Sequence, residues 1–247
     1  MGGAILNMVT VAIGSLLGML IGHRLSQKIQ ESVVTGLGLV TLFVGISNAG
    51  QTGNPIIPLV SIVTGVIIGE LLDLQGRLER LGGWLEGRLA RGDGVVQPGG
   101  QDARTRFITG FVTASLVFCI GPLTFAGSIQ DGMGLAVGFQ QIAIKSALDF
   151  FASMAFAASF GVGVAFSTLT ILVVQGGLSL LGSAIGDFMS AAMMNEMTAV
   201  GGLMLIGLSL ILLNVKQPRM ANFLPGLVIA PLIVAVGGAL GINLYPL

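Results

Sequence analysis

Lys145 and Asp149 are the residues whose chemistry demands an account first. They stand inside an otherwise apolar run, Ile142–Phe160. Four residues apart on a helix, they share a face and can pair. Desolvating an ionisable group in a membrane is costly, so such a group is read first as functional. Pairing cancels the net charge. A substrate or proton competing with the lysine for the carboxylate would make the pair a coupling site. The plainer alternative is a buried structural ion pair. Ser146 and Ser153 extend the same polar stripe.

A second polar face runs through Ser167, Gln175 and Ser179, at four- or eight-residue spacing, with Gln175 near mid-membrane. Such a face serves either as hydrogen-bonding glue between helices or as the wall of a solute path. Asn7, in the first apolar run, is its counterpart. The run Cys119-Ile-Gly121-Pro122 adds a third feature. Proline removes a backbone donor and clashes with the carbonyl four residues back, so a kink or a full break is expected there. Broken helices often build binding sites in transporters. Gln130 and Asp131 follow, near the outer interface.

Other chemistries find little support. Asp187, Asn195 and Glu196 accompany Met189, Met193 and Met197, and carboxylates with thioethers could bind a soft cation. Methionine at helical spacing is more often packing, so no metal and no cofactor are expected. Cys119 is the single cysteine, which excludes a disulfide framework and a cysteine-based zinc site. The lone His23 leaves Ser47 without a base inside any span, so Gly45-Ile-Ser47-Asn48 is not read as a nucleophile loop. No glycine-rich run ends in the Gly-Lys-Ser/Thr of a phosphate loop. An enzyme is not expected.

The elements that must position these groups are membrane helices. Of 247 residues, 53% are hydrophobic, 9% are charged and 39 are glycine; mean hydropathy is +0.95. That charge fraction is about a third of a soluble domain's. Eleven basic residues balance eleven acidic ones, so no electrostatic footprint points to nucleic acid. A helix crosses the hydrocarbon core with about 20 apolar residues. Eight candidate runs result: Ala4–Gly22, Val33–Ser47, Ile56–Leu72, Phe107–Gly127, Ile142–Phe160, Val164–Gly182, Thr198–Val215 and Phe223–Gly241. The second is short and the fifth is the most polar.

Basic residues set the orientation, because Lys and Arg in short loops stay cytoplasmic. Arg24 and Lys28 follow the first run. Arg77, Arg80, Arg88, Arg91, Arg104 and Arg106 lie between the third and fourth, and Lys216 and Arg219 between the last two. Eight spans put all of these on one side. The loops at Asn48–Pro55, Ser128–Gln141 and Ser183–Met197 carry none. Both termini are then expected outside. The N-terminal run has no basic residue before it and is not read as a signal peptide.

Between Asp73 and Asp102 the chain is soluble-looking. Leu74, Leu78, Leu81, Leu85 and Leu89 recur at helical spacing, with charges on the other faces. An amphipathic cytoplasmic helix continuing the third span is expected, with Trp84 anchored at the headgroups. A flexible linker, Gly92–Gln101, follows it.

Self-comparison pairs spans one to three with six to eight. Glu31-Ser-Val-Val-Thr-Gly36 resembles Glu196-Met-Thr-Ala-Val-Gly201; Asn54-Pro-Ile-Ile-Pro58 resembles Asn222-Phe-Leu-Pro225; Gly69 matches Gly237. An odd span paired with an even one enters the membrane from the opposite side, which is the plan of an inverted repeat. Gly14, Gly18 and Gly22 line one face of the first span, where small residues let backbones approach.

Taken together, Asn7 with its glycines, Cys119-Ile-Gly-Pro122, Gln130-Asp131-Gly132, Lys145-Ser-Ala-Leu-Asp149, Phe160-Gly-Val-Gly163, Gln175-Gly176 and Asn222-Phe-Leu-Pro225 make the chain similar to the YdfK/YqgA-like bacterial membrane proteins, a domain of unknown function. The resemblance spans almost the whole chain. It implies a bacterial inner membrane and transfers no mechanism.

The reading is an all-α, polytopic transmembrane bundle of about eight spans. It divides into a first three-helix repeat (1–74), an amphipathic helix and linker (75–104), two unique central spans (105–160) and a second repeat (161–247). The expected function is passage of a small ion or polar solute, as transporter or channel. The candidate residues are Lys145, Asp149, Asn7, Ser167, Gln175, Cys119, Gly121, Pro122, Gln130 and Asp131. The expected partners are the lipid bilayer, that solute and, through the glycine seams, a homo-oligomer. The alternative is a structural, accessory or sensory membrane protein without transport activity.

Overall fold

The computed structural model describes residues 2–22, 26–89, 101–119, 122–185 and 189–245. Among these the chain is helical, with no strand. In order come α1 (Gly2–Gly22), α2 (Gln27–Ala49), α3 (Ile56–Leu71), α4 (Leu74–Leu89), α5 (Gln101–Cys119), α6 (Pro122–Gly132), α7 (Ala136–Phe160), α8 (Gly163–Ile185) and α9 (Ala191–Leu212). A 3-10 turn, Met220–Phe223, then leads into α10 (Pro225–Ala239). Helices satisfy every backbone group internally, which the hydrocarbon demands.

Among the described residues, six helices are long and apolar enough to cross a membrane: α1, α2, α7, α8, α9 and the 3-10 turn with α10. They coincide with six of the eight expected runs. The third run is shorter than expected, because α3 has only 16 residues. It stops where Asp73 takes a left-handed φ of 47°. The amphipathic helix α4 therefore does not continue α3 straight; the two form a bent pair that would count as a seventh span. The fourth run is two helices, α5 and α6, on either side of residues 120–121. Two connections are shorter than expected. The Ser128–Gln141 loop contracts to residues 133–135, and α9 already begins at Ala191, with the Ser190 hydroxyl accepting from the Met193 N–H at 3.3 Å. His23, Arg24, Arg91, the linker residues Pro98, Gly99 and Gly100, Gly121 and Asp187 lie outside the described residues.

The chain forms two compact units, and each draws on both halves of the sequence. The first contains residues 1–37, 76–119 and 123–184. Here α1 runs parallel to α7, with Gly14 over Phe150 and Ser153, Gly18 over Met154 and Gly22 over Ala158. A Cβ on Gly22 would come within 2.6 Å of the Ala158 carbonyl oxygen. α5 runs parallel to α8: Gly163 meets Phe107, and the Ser115 and Thr170 hydroxyls bond at 2.9 Å. α6 and α7 are antiparallel, with Gly127 on Gln141 and Gly138 on Gln130. Phe118 and Phe156 meet edge-on at 6.1 Å in the core of this unit. The tight turn from α7 to α8 needs Gly161, whose φ is 78°. Ile5, Leu16, Leu20, Leu148 and Val173 are left on the outside, as the lipid-facing side chains of a bundle should be.

The second unit consists mainly of residues 38–75 and 185–247. α2 and α9 are antiparallel here, with Gly38 on Leu213, Gly45 on Ile206 and Gly202 on Ala49. α3 crosses α10 where Gly65 meets Gly226 and Gly69 meets Asn222. Two asparagines tie the helix ends. Asn54 donates from Nδ2 to the Leu244 carbonyl at 2.7 Å, after α10. Asn222 accepts at Oδ1 from the Gln75 N–H at 2.7 Å, after α3.

Candidate functional site

Most of the expected polar residues lie in the first unit, and three of them, Lys145, Asp149 and Asn7, bond to one another. Lys145 Nζ donates to Asp149 Oδ2 on the same face of α7, and each residue is only 7% exposed. Asn7 Nδ2 donates to that same Oδ2 at 2.9 Å. The α1 glycines make this reach possible: with no Cβ at Gly14 or Gly18, the α1 backbone lies directly on α7. Asn7 Oδ1 is buried and has no hydrogen-bond partner among the described residues. Cys119, at the end of α5, is buried.

Gln175 joins this level of the unit. The Ser115–Thr170 bond sets the register of α5 against α8, so four or five residues later Cys119 and Gln175 stand at one height. Gln175 is fully buried, and neither its Oε1 nor its Nε2 has a partner among the described residues. Leaving a buried polar atom unpaired costs about 1–3 kcal/mol. The same is true of Ser15 Oγ, Ser128 Oγ, Ser179 Oγ, Gln130 Oε1 and Gln141 Oε1, all in this unit. Ser167 behaves differently. Its hydroxyl donates to Val164 in its own helix at 2.6 Å, so it is not glue between helices.

Asp131 closes one end of the site: its Oδ2 accepts from the Gly3 N–H at 3.2 Å, in the first turn of α1. A carboxylate belongs there, where helix N–H groups lack partners. The break lies after Cys119. Pro122 begins α6 without an N–H, so the Phe118 carbonyl loses its helical donor. The Thr124 hydroxyl, fully buried, donates to that carbonyl at 3.2 Å instead.

Glu196 was expected in a loop beside Asn195 and Asp187. It sits within α9 in the second unit, fully buried, and is occupied by protein donors. Oε2 accepts from the Thr52 hydroxyl at 2.6 Å, and Oε1 from the N–H groups of Gly53 at 2.9 Å and Asn54 at 3.3 Å. Asn195 is exposed. Among the described residues no three His, Cys, Asp or Glu side chains cluster as a metal site would require. Arg219, in the same unit, bridges Glu70 at 2.7 Å and Asp73 at 2.8 Å, a pairing that spacing alone did not reveal.

Comparison with known proteins adds the family. The model of the protein family of unknown function DUF554 matches residues 2–235. The chain belongs to that family. A relative from Bacillus subtilis (strain 168), named uncharacterized membrane protein YdfK, is 26% identical over 245 residues, covering 98% of this chain and 99% of the relative. Another from Escherichia coli (strain K12), uncharacterized protein YqgA, is 29% identical over 230 residues, covering 92% of this chain and 94% of its own. No solved structure matches. The long apolar helices and this family together make the chain a membrane protein.

Tyr245 gives this DUF554 protein a convenient reporter, being its single tyrosine. It lies beyond α10, with its ring against Gly53. Its phenol is pushed up from 10.0 to about 12, first by burial and then by the neighbouring Glu196 carboxylate. Because the folded value lies above the unfolded one, folding stability is full below pH 10 and falls as pH rises towards 12. Phenolate absorbance is expected to titrate with a midpoint near 12. A Glu196→Gln variant should lower that midpoint part of the way to the ordinary value of about 10, burial being the larger cause. An unchanged midpoint would refute the electrostatic contact.

Proposed function

We propose that this protein passes a small ion or polar solute across the bacterial inner membrane, as a transporter or channel and not as an enzyme. The observation carrying this reading is the fully buried, unpartnered amide of Gln175, level with Cys119 in the unit that holds the Lys145–Asp149–Asn7 group. A purely structural core would pair those atoms, since buried polar groups are nearly always hydrogen-bonded. A path that water or a solute enters supplies their partners. Asp149 is the switch in this reading, because Lys145 and Asn7 both donate to one carboxylate oxygen. A passing cation or proton competes with them there.

The wider architecture follows the same reading. Spans one to three and six to eight form inverted repeats around two central spans, giving eight spans with both termini outside. The paired contacts of Asn54 with Leu244 and of Asn222 with Gln75 support this. So does the antiparallel pairing of α2 with α9, which a two-fold axis in the membrane plane would generate. Residues 75–104 are then cytoplasmic. The glycine seams are filled within one chain, so a homo-oligomer would have to meet through other faces.

Thiol accessibility tests the path. With Cys119 replaced by alanine, single cysteines at positions 7, 145, 149, 167 and 175 are probed with a membrane-impermeant reagent from each side. Labelling at 7, 149 and 175, with 167 protected, is expected. Protection of all five while the loops react would overturn the reading. A flux screen over protons and small ions in proteoliposomes then follows, in which Asp149→Asn abolishes flux and leaves the protein folded. Full flux in that variant removes Asp149 from the mechanism.

A structural or accessory role is the second reading, favoured by the mutual neutralisation of Lys145 and Asp149. It expects no labelling at any of these positions.

A further inference from the structure

We propose that the cleft between α4 and α5 holds the phosphate headgroup of an anionic phospholipid. This cleft belongs to the first unit, has a volume of about 450 Å³ and is lined by residues that include Arg80, Arg104, Trp84 and Ile108. Gly83 opens its floor: a Cβ there would stand 3.4 Å from the Arg104 guanidinium and 3.7 Å from Ile108 Cδ1. Two cationic side chains thus face a space whose base is apolar.

The position selects a lipid over a soluble anion. α5 changes character within a few residues, from Arg104-Thr-Arg106 to the apolar run that starts at Phe107. On the proposed eight-span reading, on which this inference rests, that change marks the plane where headgroups give way to acyl chains. Trp84 sits at this height and is 55% exposed, and Leu81 on the same helix is 46% exposed. Tryptophan favours this boundary because its ring is apolar and its N–H is polar. A free phosphate would need neither the tryptophan nor Ile108. An anionic lipid uses all four groups, with phosphate on the guanidiniums and glycerol and upper chain along Trp84 and Ile108. Glu79 also lines the cleft and leaves it one net positive charge against the two arginines. Arg80 and Arg104 already hold other interactions. A guanidinium has five donors, and its planar fork matches phosphate oxygens.

Trp84 is the single tryptophan of the chain, so its fluorescence reads this cleft alone. The full-length protein is reconstituted into phosphatidylcholine vesicles containing a minor fraction of brominated phosphatidylglycerol or, at equal fraction, brominated phosphatidylcholine. Arginine near an anionic surface strengthens attraction about fivefold per residue. The brominated anionic lipid is therefore expected to occupy the quenching shell of Trp84 about fivefold more than the zwitterionic one. Arg80→Gln/Arg104→Gln is expected to equalise the two, and inorganic phosphate in the bath to leave the preference intact. Equal quenching of the parent by both lipids would reduce Trp84 to an ordinary interfacial anchor and overturn the proposal. So would a preference that survives removal of both arginines. Loss of the preference on adding inorganic phosphate would reassign the cleft to a soluble anion. The comparison of the two lipids on the parent protein needs no variant, so it decides the matter even where the double variant does not fold.

Discussion

A Gly18→Ala variant is expected to lose about 3 kcal/mol of stability, the upper range for overpacking a tight interior. Gly18→Val should fail to assemble. The cause is what the added carbon would meet. At Gly18 a Cβ overlaps the Met154 backbone carbonyl, and backbone cannot rotate away as a side chain can. Gly14 and Gly22 stand one turn to either side on the same contact, so α1 cannot tilt to relieve the clash at one point without losing another. Any retreat of α1 also withdraws Asn7 from Asp149. Gly36→Ala is the matching control, since a Cβ there meets nothing within 4 Å. It is expected to fall within about 1 kcal/mol of the parent, on the stabilising side, because alanine has less unfolded-state freedom to lose. Thermal unfolding in detergent, read by helix circular dichroism, compares the two. Equal losses at Gly18 and Gly36 would mean that α1 and α7 are not packed backbone to backbone.

The second large effect concerns the charged pair. Lys145→Met leaves Asp149 buried with only Asn7 as a donor, and breaking a buried ion pair on one side costs about 3–5 kcal/mol. Lys145→Met/Asp149→Leu removes both charges, and an apolar pair of similar volume is often nearly neutral. The double variant should therefore be more stable than the single one. It should not fully match the parent, because Asn7 then loses its acceptor, at about 1–3 kcal/mol. Adding Asn7→Leu is expected to return most of that remainder. The three unfolding curves thus separate the ion pair from the asparagine. A double variant no better than Lys145→Met alone would refute a cost from the unpaired carboxylate. None of these apolar variants should support flux, so restored stability without activity would separate the transport role from the structural one.

Local spacing made much of this site readable. The four-residue interval of Lys145 and Asp149 fixes their shared face, and the interval of Gly14, Gly18 and Gly22 fixes the seam. Pro122 fixes the break, because its missing N–H is a property of the residue itself. Contacts across the chain were not readable in the same way. Asn7 pairs with a residue 142 positions away, Asp131 with Gly3 at 128, and Glu196 with Gly53 at 143. Nothing in the period of a helix names a partner at such a distance. Glu196 went astray for a further reason. Asn195 and Glu196 itself interrupt the apolar run, so by composition the span starts at Thr198 and not at Ala191. Ser167 shows the opposite limit: a serine on a helix can bond across the seam or back to its own turn, and residue type does not choose between them.

The 142-residue interval between Asn7 and Asp149 also has a consequence for synthesis. Ribosomes add about 5–20 residues per second, so α1 is made roughly 7–30 s before the helix it packs on. During that interval a segment carrying an asparagine in its second turn and a naked glycine face is in or near the bilayer without its mate. Bilayer entry and final docking are therefore separate events for this chain. Until α7 arrives, Asn7 has no Asp149 carboxylate to bond.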